Sequence, residues 1–471
     1  MSFEISFDLP PGWQLKTVQE LVNEKILEKP LDGNHGGIHP KASDYVETGI
    51  PFIMASDLEA GLVNFSSCKY ISQQQAEKLR KGFAREGDVL LSHKATIGRT
   101  AIVQPNDSEY IVLTPQVTYY RVKDENKLNN IYLKSFFDSY FFQTILNQWA
   151  GSGSTRAYLG ITEQLKLPVI VPPIDSQIEI ASFANNLNSK IHLNNKINQT
   201  LESIAQAIFK SWFIDFDPVR AKIVAKQNGA DLELAAMCVI SGKSEVELRQ
   251  MAKEDFAELQ ATAALFPDEL VESELGEVPK GWEYKKLKDL CRVINGRAYK
   301  NTEFKDQGIP IVRIQNLTGG GKTVFSDLDL PQDKLIEKED FIYAWSATFG
   351  PYIWRGPKSI YHYHIWKMDV DETIISRYFL YLTMFRKTES MKSSGTGSIF
   401  THLTKAIMES QDVLIADNAI NMLFKDRIDR IFKLISLKSD EINNLENIRD
   451  TLLPKLLSGE VEIPDFINEG E

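Results

Sequence analysis

LPPGWQLKTVQELV, residues 9–22, returns as VPKGWEYKKLKDLC at 278–291, with Trp13 against Trp282. Outward from that pair the chain reads as two copies of one module. GIPFIMASDL at 49–58 returns as GIPIVRIQNL at 308–317, FAREGDVLLSHKATIG at 83–98 has a looser echo in LIEKEDFIYAWSATFG at 335–350, and GSGSTRAYLGIT at 151–162 corresponds to SSGTGSIFTHLT at 393–404. The spacing between matched marks falls from 269 residues to 259 and then to about 242, so the second copy has lost residues between marks that it keeps. A repeat of this length is a duplicated module, not a short-period solenoid. A kept frame with different filling fits two modules that share a scaffold and touch different things.

Each copy ends in a long helical pattern. The first runs from about Ile178 to Phe213, with Ile180, Phe183, Leu187, Ile191, Ile197, Leu201, Ile204 and Ile208 at three- and four-residue steps and Asn194 interrupting. The second runs from about Ile420 to Leu453, on Ile428, Ile431, Ile435, Ile442, Leu445 and Leu452, with Lys438 interrupting. A stripe this narrow matches a coiled-coil seam better than a globular helix, the alternative being that both helices belong to one ordinary bundle core. Pro172 and Pro173 precede the first helix and Pro218 follows it, while Pro454 is expected to stop the second. A linker of over 60 residues lets the two helices return head to tail, and Asn194 and Lys438 are candidates to fix the register.

Short runs such as Asp88–Ser92, Tyr110–Leu113, Val117–Val122 and Ile309–Ile314 have strand composition and end at turn residues. Ile131–Leu146 and Ile375–Phe385 read as amphipathic helices. The fold class is therefore α+β: two β-rich modules separated by two long helices packed as an antiparallel coiled coil, with pseudo-twofold internal duplication. The expected segments are a first module at 1–175, a spacer helix at 176–213, an acidic, partly helical linker at 214–277, a second module at 278–415, a second helix at 416–457 and an acidic tail at 458–471.

The net charge of −11 at first argues against a nucleic-acid partner. Its distribution weakens that objection, so that charge permits DNA binding without demonstrating it. Residues 231–277 carry −9 and residues 459–471 carry −5, which leaves +3 for the rest of the chain. Apolar runs are too short to cross a bilayer, the start shows no signal segment, and Cys68, Cys238 and Cys291 form no CxxC pair. A cytoplasmic protein with no membrane association is expected.

Motifs for catalysis fail on inspection. Asn316–Thr323 ends like a phosphate-binding loop, but Asn316 stands where its first glycine belongs, and Ser-Gly-Lys-Ser at 241–244 has Met237 there. The Pro-Pro pairs at 10–11 and 172–173 lack the polar and aromatic partners of an adenine-methyltransferase motif. His362 and His364, two apart, have no nearby Cys or third His and read as exposed strand histidines. No catalytic residue, cofactor site or metal site is assigned to the chain.

Residues suited to DNA fall at equivalent places in both copies. In the first these are Arg80 and Lys81, then Lys94, Thr96 and Arg99 of one turn, and Ser154, Thr155, Arg156 and Tyr158 of the Gly/Ser loop. In the second they are Arg297, Arg313, Gln315 and Asn316, then Ser346, Thr348 and Tyr352, and Thr396 and Ser398. Arg, Gln and Asn read base edges, while Lys, Ser and Thr mostly hold phosphates. The competing expectation is an interaction scaffold whose β modules bind no DNA.

Taken in order, the PxGW boxes (Pro11 to Trp13, Pro279 to Trp282), SELGEVPKGW at 273–282, FIDFDPVRAK at 213–222 and LLPKLLSGEV at 452–461 resemble the specificity subunit of type I restriction-modification systems over nearly the whole chain. That resemblance implies two target-recognition domains, each reading half of a split, asymmetric site on double-stranded DNA. It implies helices that act as a spacer and dock two methyltransferase (modification) subunits, with restriction/translocase subunits joining them. S-adenosylmethionine, ATP and Mg²⁺ would be held by those partners.

Overall fold

The computed structural model describes residues 9–151, 157–318, 322–346, 348–393 and 403–462. The chain divides into two compact units, residues 1–195 with 441–471 and residues 196–440. Both long helices are cut by that division, so each unit owns part of each. No helix among the described residues is long and apolar enough to cross a membrane.

The first long helix spans Ile174–Phe213 and the second Asn418–Ser458. Gln177 fixes the start of the first: its amide nitrogen donates to the Pro172 and Lys127 carbonyls, and its oxygen accepts from the Asn129 N–H. Within the first unit Arg449 donates to Asn188 and Lys190 pairs with Glu441; within the second Asn198 donates to Ser439 and Phe209 meets Phe424. Residue numbers rise on one helix as they fall on the other, so the pairing is antiparallel. The seam differs in detail from the one expected. Ile191 and Asn194 are buried, but Ile204 is 44% exposed, and Ala205, Phe209 and Trp212 form the buried line beyond it. The apolar pattern offers both lines, and the aromatic one buries more surface.

Pro454 does not stop the second helix, which continues to Ser458. The ring removes one hydrogen bond near the end, where few turns remain to be disrupted, while Leu453, Leu456 and Leu457 are buried in the first unit's core. The single helix expected over Ile131–Leu146 is two, Asn130–Asp138 and Tyr140–Trp149. Ser139 between them is extended (ψ 145°), and its hydroxyl accepts from the Phe142 N–H as an N-cap.

Four strands of each sheet keep the same order in the two units. In the first unit one sheet runs Leu31–Asp32, Val117–Tyr120, Val89–Lys94, Thr96–Ile102, and then adds Gly61–Val63 and Leu58–Glu59. Its counterpart in the second unit runs Cys291–Asn295, Ile365–Val370, Phe341–Ala344, Gly350–Ile353 and stops there. The other sheet runs Tyr45–Val46, Lys69–Ile71, Ile50–Ile53, Ile111–Leu113, Phe83–Ala84, against Val324–Ser326, Ile309–Val312, Ser359–Tyr361, Leu335–Ile336. Each holds one parallel pair at the same place, Phe52 and Ile53 beside Val112 and Leu113, and Ile311 and Val312 beside Ile360 and Tyr361. A two-stranded ladder closes each module, Gln14–Thr17 with Pro168–Val171 and Glu283–Lys286 with Asp412–Ile415. Among the described residues the second unit has no counterpart of the hairpin at 58–63.

The PxGW boxes share a packing role. In the second unit Trp282 lies 5.4 Å from Phe213 and 5.7 Å from Phe216, at the end of the first long helix. In the first unit Pro10 abuts Gly459, where an added Cβ would lie 2.1 Å from the proline Cγ, and Trp13 packs on the core that holds Leu456. The acidic stretch after Phe213 is largely helical: Asp217–Gln227, Leu232–Ser241, Glu245–Arg249 and Lys253–Leu265, then a hairpin of Leu270–Ser273 and Gly276–Pro279. Ala236, Met237, Leu248, Leu259 and Ala263 form its core. Buried Lys222 donates to the Phe266 carbonyl at 2.7 Å, and burial lowers its pKa although Glu233 and Asp268 oppose the shift.

Candidate nucleic-acid interface

In the first unit Val89–Lys94 and Thr96–Ile102 form a hairpin that turns at Ala95, which has φ +65°. A left-handed alanine is uncommon and costs energy, so the tip is held from outside. Ala95 N–H donates to the Ala157 carbonyl, Lys94 bridges Tyr158, and Leu159 N–H donates to the His93 carbonyl. The structure thus brings the turn and the far arm of the Gly/Ser loop together, two segments chosen separately in the sequence. Lys94 and Thr96 are exposed, Tyr158 is 49% exposed, and the Lys94 ammonium lies 5.9 Å from the Tyr158 ring. Beneath them His93 is fully buried, with Nδ1 3.0 Å from the Leu159 carbonyl oxygen, which requires a proton on Nδ1. Burial lowers its pKa, so the ring is neutral at pH 7.

Arg99 is exposed, and its guanidinium donates to the Ala55 and Ser56 carbonyls at 3.3 and 3.4 Å. Arg80 and Lys81 are clasped by Asn34, whose side chain accepts from the Arg80 N–H at 2.9 Å and donates to the Lys81 carbonyl at 2.5 Å. The Lys81 ammonium pairs with Asp32, a carboxylate 4% exposed that also meets His35 at 2.7 Å. Burial pushes the Asp32 pKa up, but Lys81 and His35 outweigh it and hold the group below its ordinary value. Lys81 is therefore committed inside the unit, while the Arg80 side chain is exposed. Ser154, Thr155 and Arg156 lie outside the described residues.

In the second unit the hairpin and the turn beside it keep the backbone frame of the first. Trp345 N–H donates to the His364 carbonyl as His93 N–H does to Gln116, and His362 N–H donates to Val312 as Thr114 N–H does to Ile53. Gly296 and Gly33 make the same close approach: a Cβ would lie 2.3 Å from the His362 oxygen in one and 1.9 Å from the Leu113 oxygen in the other. Arg297 crosses to His362 through a backbone bridge, and its guanidinium grips Glu303 with two hydrogen bonds at 2.6 and 3.1 Å. Arg313 donates to the Lys322 carbonyl at 2.6 Å, and Asn316 accepts from the Arg313 N–H at 3.0 Å, the place Asp57 takes beside Met54. Gln315 and Thr348 are exposed, and Ser346 is half-buried on the hairpin tip. Tyr352 lies opposite Ile342 in the hairpin and packs on the core around Val312, which leaves it half-buried. Thr396 and Ser398 lie outside the described residues.

His362 and His364 are not exposed strand residues. They are half-buried in the turn between Ser359–Tyr361 and Ile365–Val370, with ring centroids 4.9 Å apart. Among the described residues no group of three possible metal ligands occurs. Sequence reasoning passed over their neighbours Trp345 and Tyr363, although the run YHYHIW at 361–366 is dense in rings.

A sequence-family model, the type I restriction modification DNA specificity domain, matches residues 11–203 and again 279–447. The chain belongs to the type I restriction-modification specificity subunits. Among its relatives, the HindI specificity subunit of Haemophilus influenzae is 31% identical over 432 residues, 84% of this chain and 91% of that protein. The MjaIX specificity subunit of Methanocaldococcus jannaschii is 24% identical over 97% of this chain and 95% of its own length. The crystal structure of the S subunit from M. genitalium superposes with a TM-score of 0.51 at 12% identity, covering 96% of this chain and 98% of that one, and shares the fold. The two family-model matches coincide with the two copies, so the specificity subunit carries its DNA-specificity domain twice.

Proposed function

We propose that this specificity subunit binds a bipartite, asymmetric DNA site, with one half read by each unit, and has no catalysis of its own. The observation that carries the reading is the pair of units with one strand order and one backbone frame at the hairpin end, but different side chains mounted on it. Arg80, Lys94, Thr96, Arg99 and Tyr158 serve the first half-site, and Arg313, Gln315, Ser346 and Thr348 the second. The long helices dock two modification subunits that bring S-adenosylmethionine, and restriction subunits that use ATP and Mg²⁺ join that complex.

Helix length sets the gap between the half-sites. One heptad added to each long helix changes the spacer of the preferred site, and an unchanged spacer would refute the ruler. The main test is methylation mapping in cells with the modification subunit, with and without this chain. One split, asymmetric methylated motif that requires the chain is the expected result. No new motif, with the modification subunit active beside another specificity subunit, would leave a scaffold.

A further inference from the structure

We propose that Tyr363, His364 and His362, seated on Trp345, are the base-reading contact of the second unit, which reads its half-site through this pinned cluster of rings. The inference rests on the proposal above that each unit reads half of a DNA site.

The rings form a row that starts in the core. Tyr343, 1% exposed, stacks on Trp366 at 6.3 Å; Trp366, 3% exposed, stacks on Trp345 at 5.6 Å; Trp345 meets the edge of His364 at 5.3 Å. Tyr363, 40% exposed, completes the row 6.2 Å from Trp345. The backbone under the surface rings is pinned at three points. Trp345 Nε1–H donates to the Tyr363 carbonyl at 2.8 Å, Trp345 N–H to the His364 carbonyl at 3.1 Å, and His362 N–H to Val312 at 2.9 Å. Rings held from a core lose little freedom on binding, which suits them to recognition.

Their chemistry points to bases, not phosphates. Burial lowers the pKa of both histidines, and His362 is lowered further by His364 and Arg313. Each imidazole is then neutral at pH 7 and presents one donor and one acceptor, the pair that a base edge requires. A phosphate calls for a cation, and Arg313 stands beside the cluster to supply one. A tyrosine ring offers a face for a base or a thymine methyl. In the first unit Thr114, Pro115 and Gln116 take the corresponding backbone places, and His93 takes that of Trp345. Its exposed ring, Tyr158, comes from another loop. One backbone frame with different side chains is how two readers of different sequences are made.

The test uses the complex of this chain with its modification subunit, bound to its mapped site and to duplexes that change one base pair at a time. The unaltered complex is expected to discriminate by about 5- to 150-fold per position. Tyr363→Ala and His364→Ala reduce this to under about 3-fold at one to three neighbouring positions of one half-site. The other half-site and the salt dependence stay as they were, because phosphate contacts are untouched. Tyr363→Leu and His364→Gln, gentler on the fold, are measured alongside, and the same local loss supports the assignment. Trp345→Ala, a positioning change, affects the same positions. Full discrimination in the Tyr363 and His364 variants, or even loss across both half-sites in the gentler pair, would overturn it. If the unaltered complex discriminates nowhere, it is the specificity reading that fails.

Discussion

The first unit carries a buried carboxylate, Asp32, opposite Thr118, where the second carries Asn295 opposite Trp366. Lys81 and His35 converge on Asp32; in the second unit Lys334 donates to the Asn295 backbone carbonyl at 2.9 Å. The same contrast of charge against neutrality runs to the hairpin tips, where the exposed Lys94 of the first unit is matched by Ser346 and the buried His93 by Trp345, whose ring meets Tyr363 of the neighbouring turn. The sheets beneath have the same strand order. Framework and filling are thus separable: ladder hydrogen bonds and two close-approach glycines hold the frame, and the side chains at its end are free to differ.

The most severe way to break the comparison is to exchange residues 1–170 for those of another specificity subunit. Methylation mapping should show one half-site replaced entirely and the other unchanged; a change in both would mean that the units do not read independently. Next in size, Leu456→Ala should destabilise the first unit by about 2–5 kcal/mol and leave the second near its original stability. Hydrogen exchange followed separately in the two units measures this. Asp32→Asn, which gives the first unit the second's residue, should cost about 1–3 kcal/mol by stripping Lys81 and His35 of their partner. It also sharpens the comparison in acid. The Asp32 pKa is held below its ordinary value when folded, so its stabilisation is fully present above the carboxylate range and is lost as pH falls below about 4. Exchange in the first unit should accelerate there, and Asp32→Asn should flatten the dependence. The smallest effect is a gain. Asn194 is fully buried with neither amide atom hydrogen-bonded, so Asn194→Leu should add about 1 kcal/mol, read as a higher Tm.

The frame was legible because duplication leaves marks in the chain: the GIP segments are the Ile50–Ile53 and Ile309–Val312 strands, and the looser echo at 83–98 and 335–350 falls on corresponding hairpin strands. Local errors came where tertiary packing decides. Pro454 stays helical because three leucines around it are buried, and Ser139 splits a helix because its hydroxyl caps the next one. The interface was only partly legible. That the loop at 157–159 would lie along 93–95 is a long-range fact, as is the Asn34 clasp on Arg80 and Lys81. Composition picks out Arg297 and Lys81 as available cations, but not that Glu303 and Asp32 already hold them.

The first unit is assembled from residues 1–195 and 441–471, with 196–440 intervening. A ribosome adding about 5–20 residues per second needs roughly 10–50 s to cross that interval. Through that time the emerged module lacks Leu453, Leu456 and Leu457, so the core to which they belong waits for partners not yet made. The half of the protein that is translated first is therefore finished last. A stop codon after residue 440 would spare every residue of the second unit yet deprive the first of its closing helix.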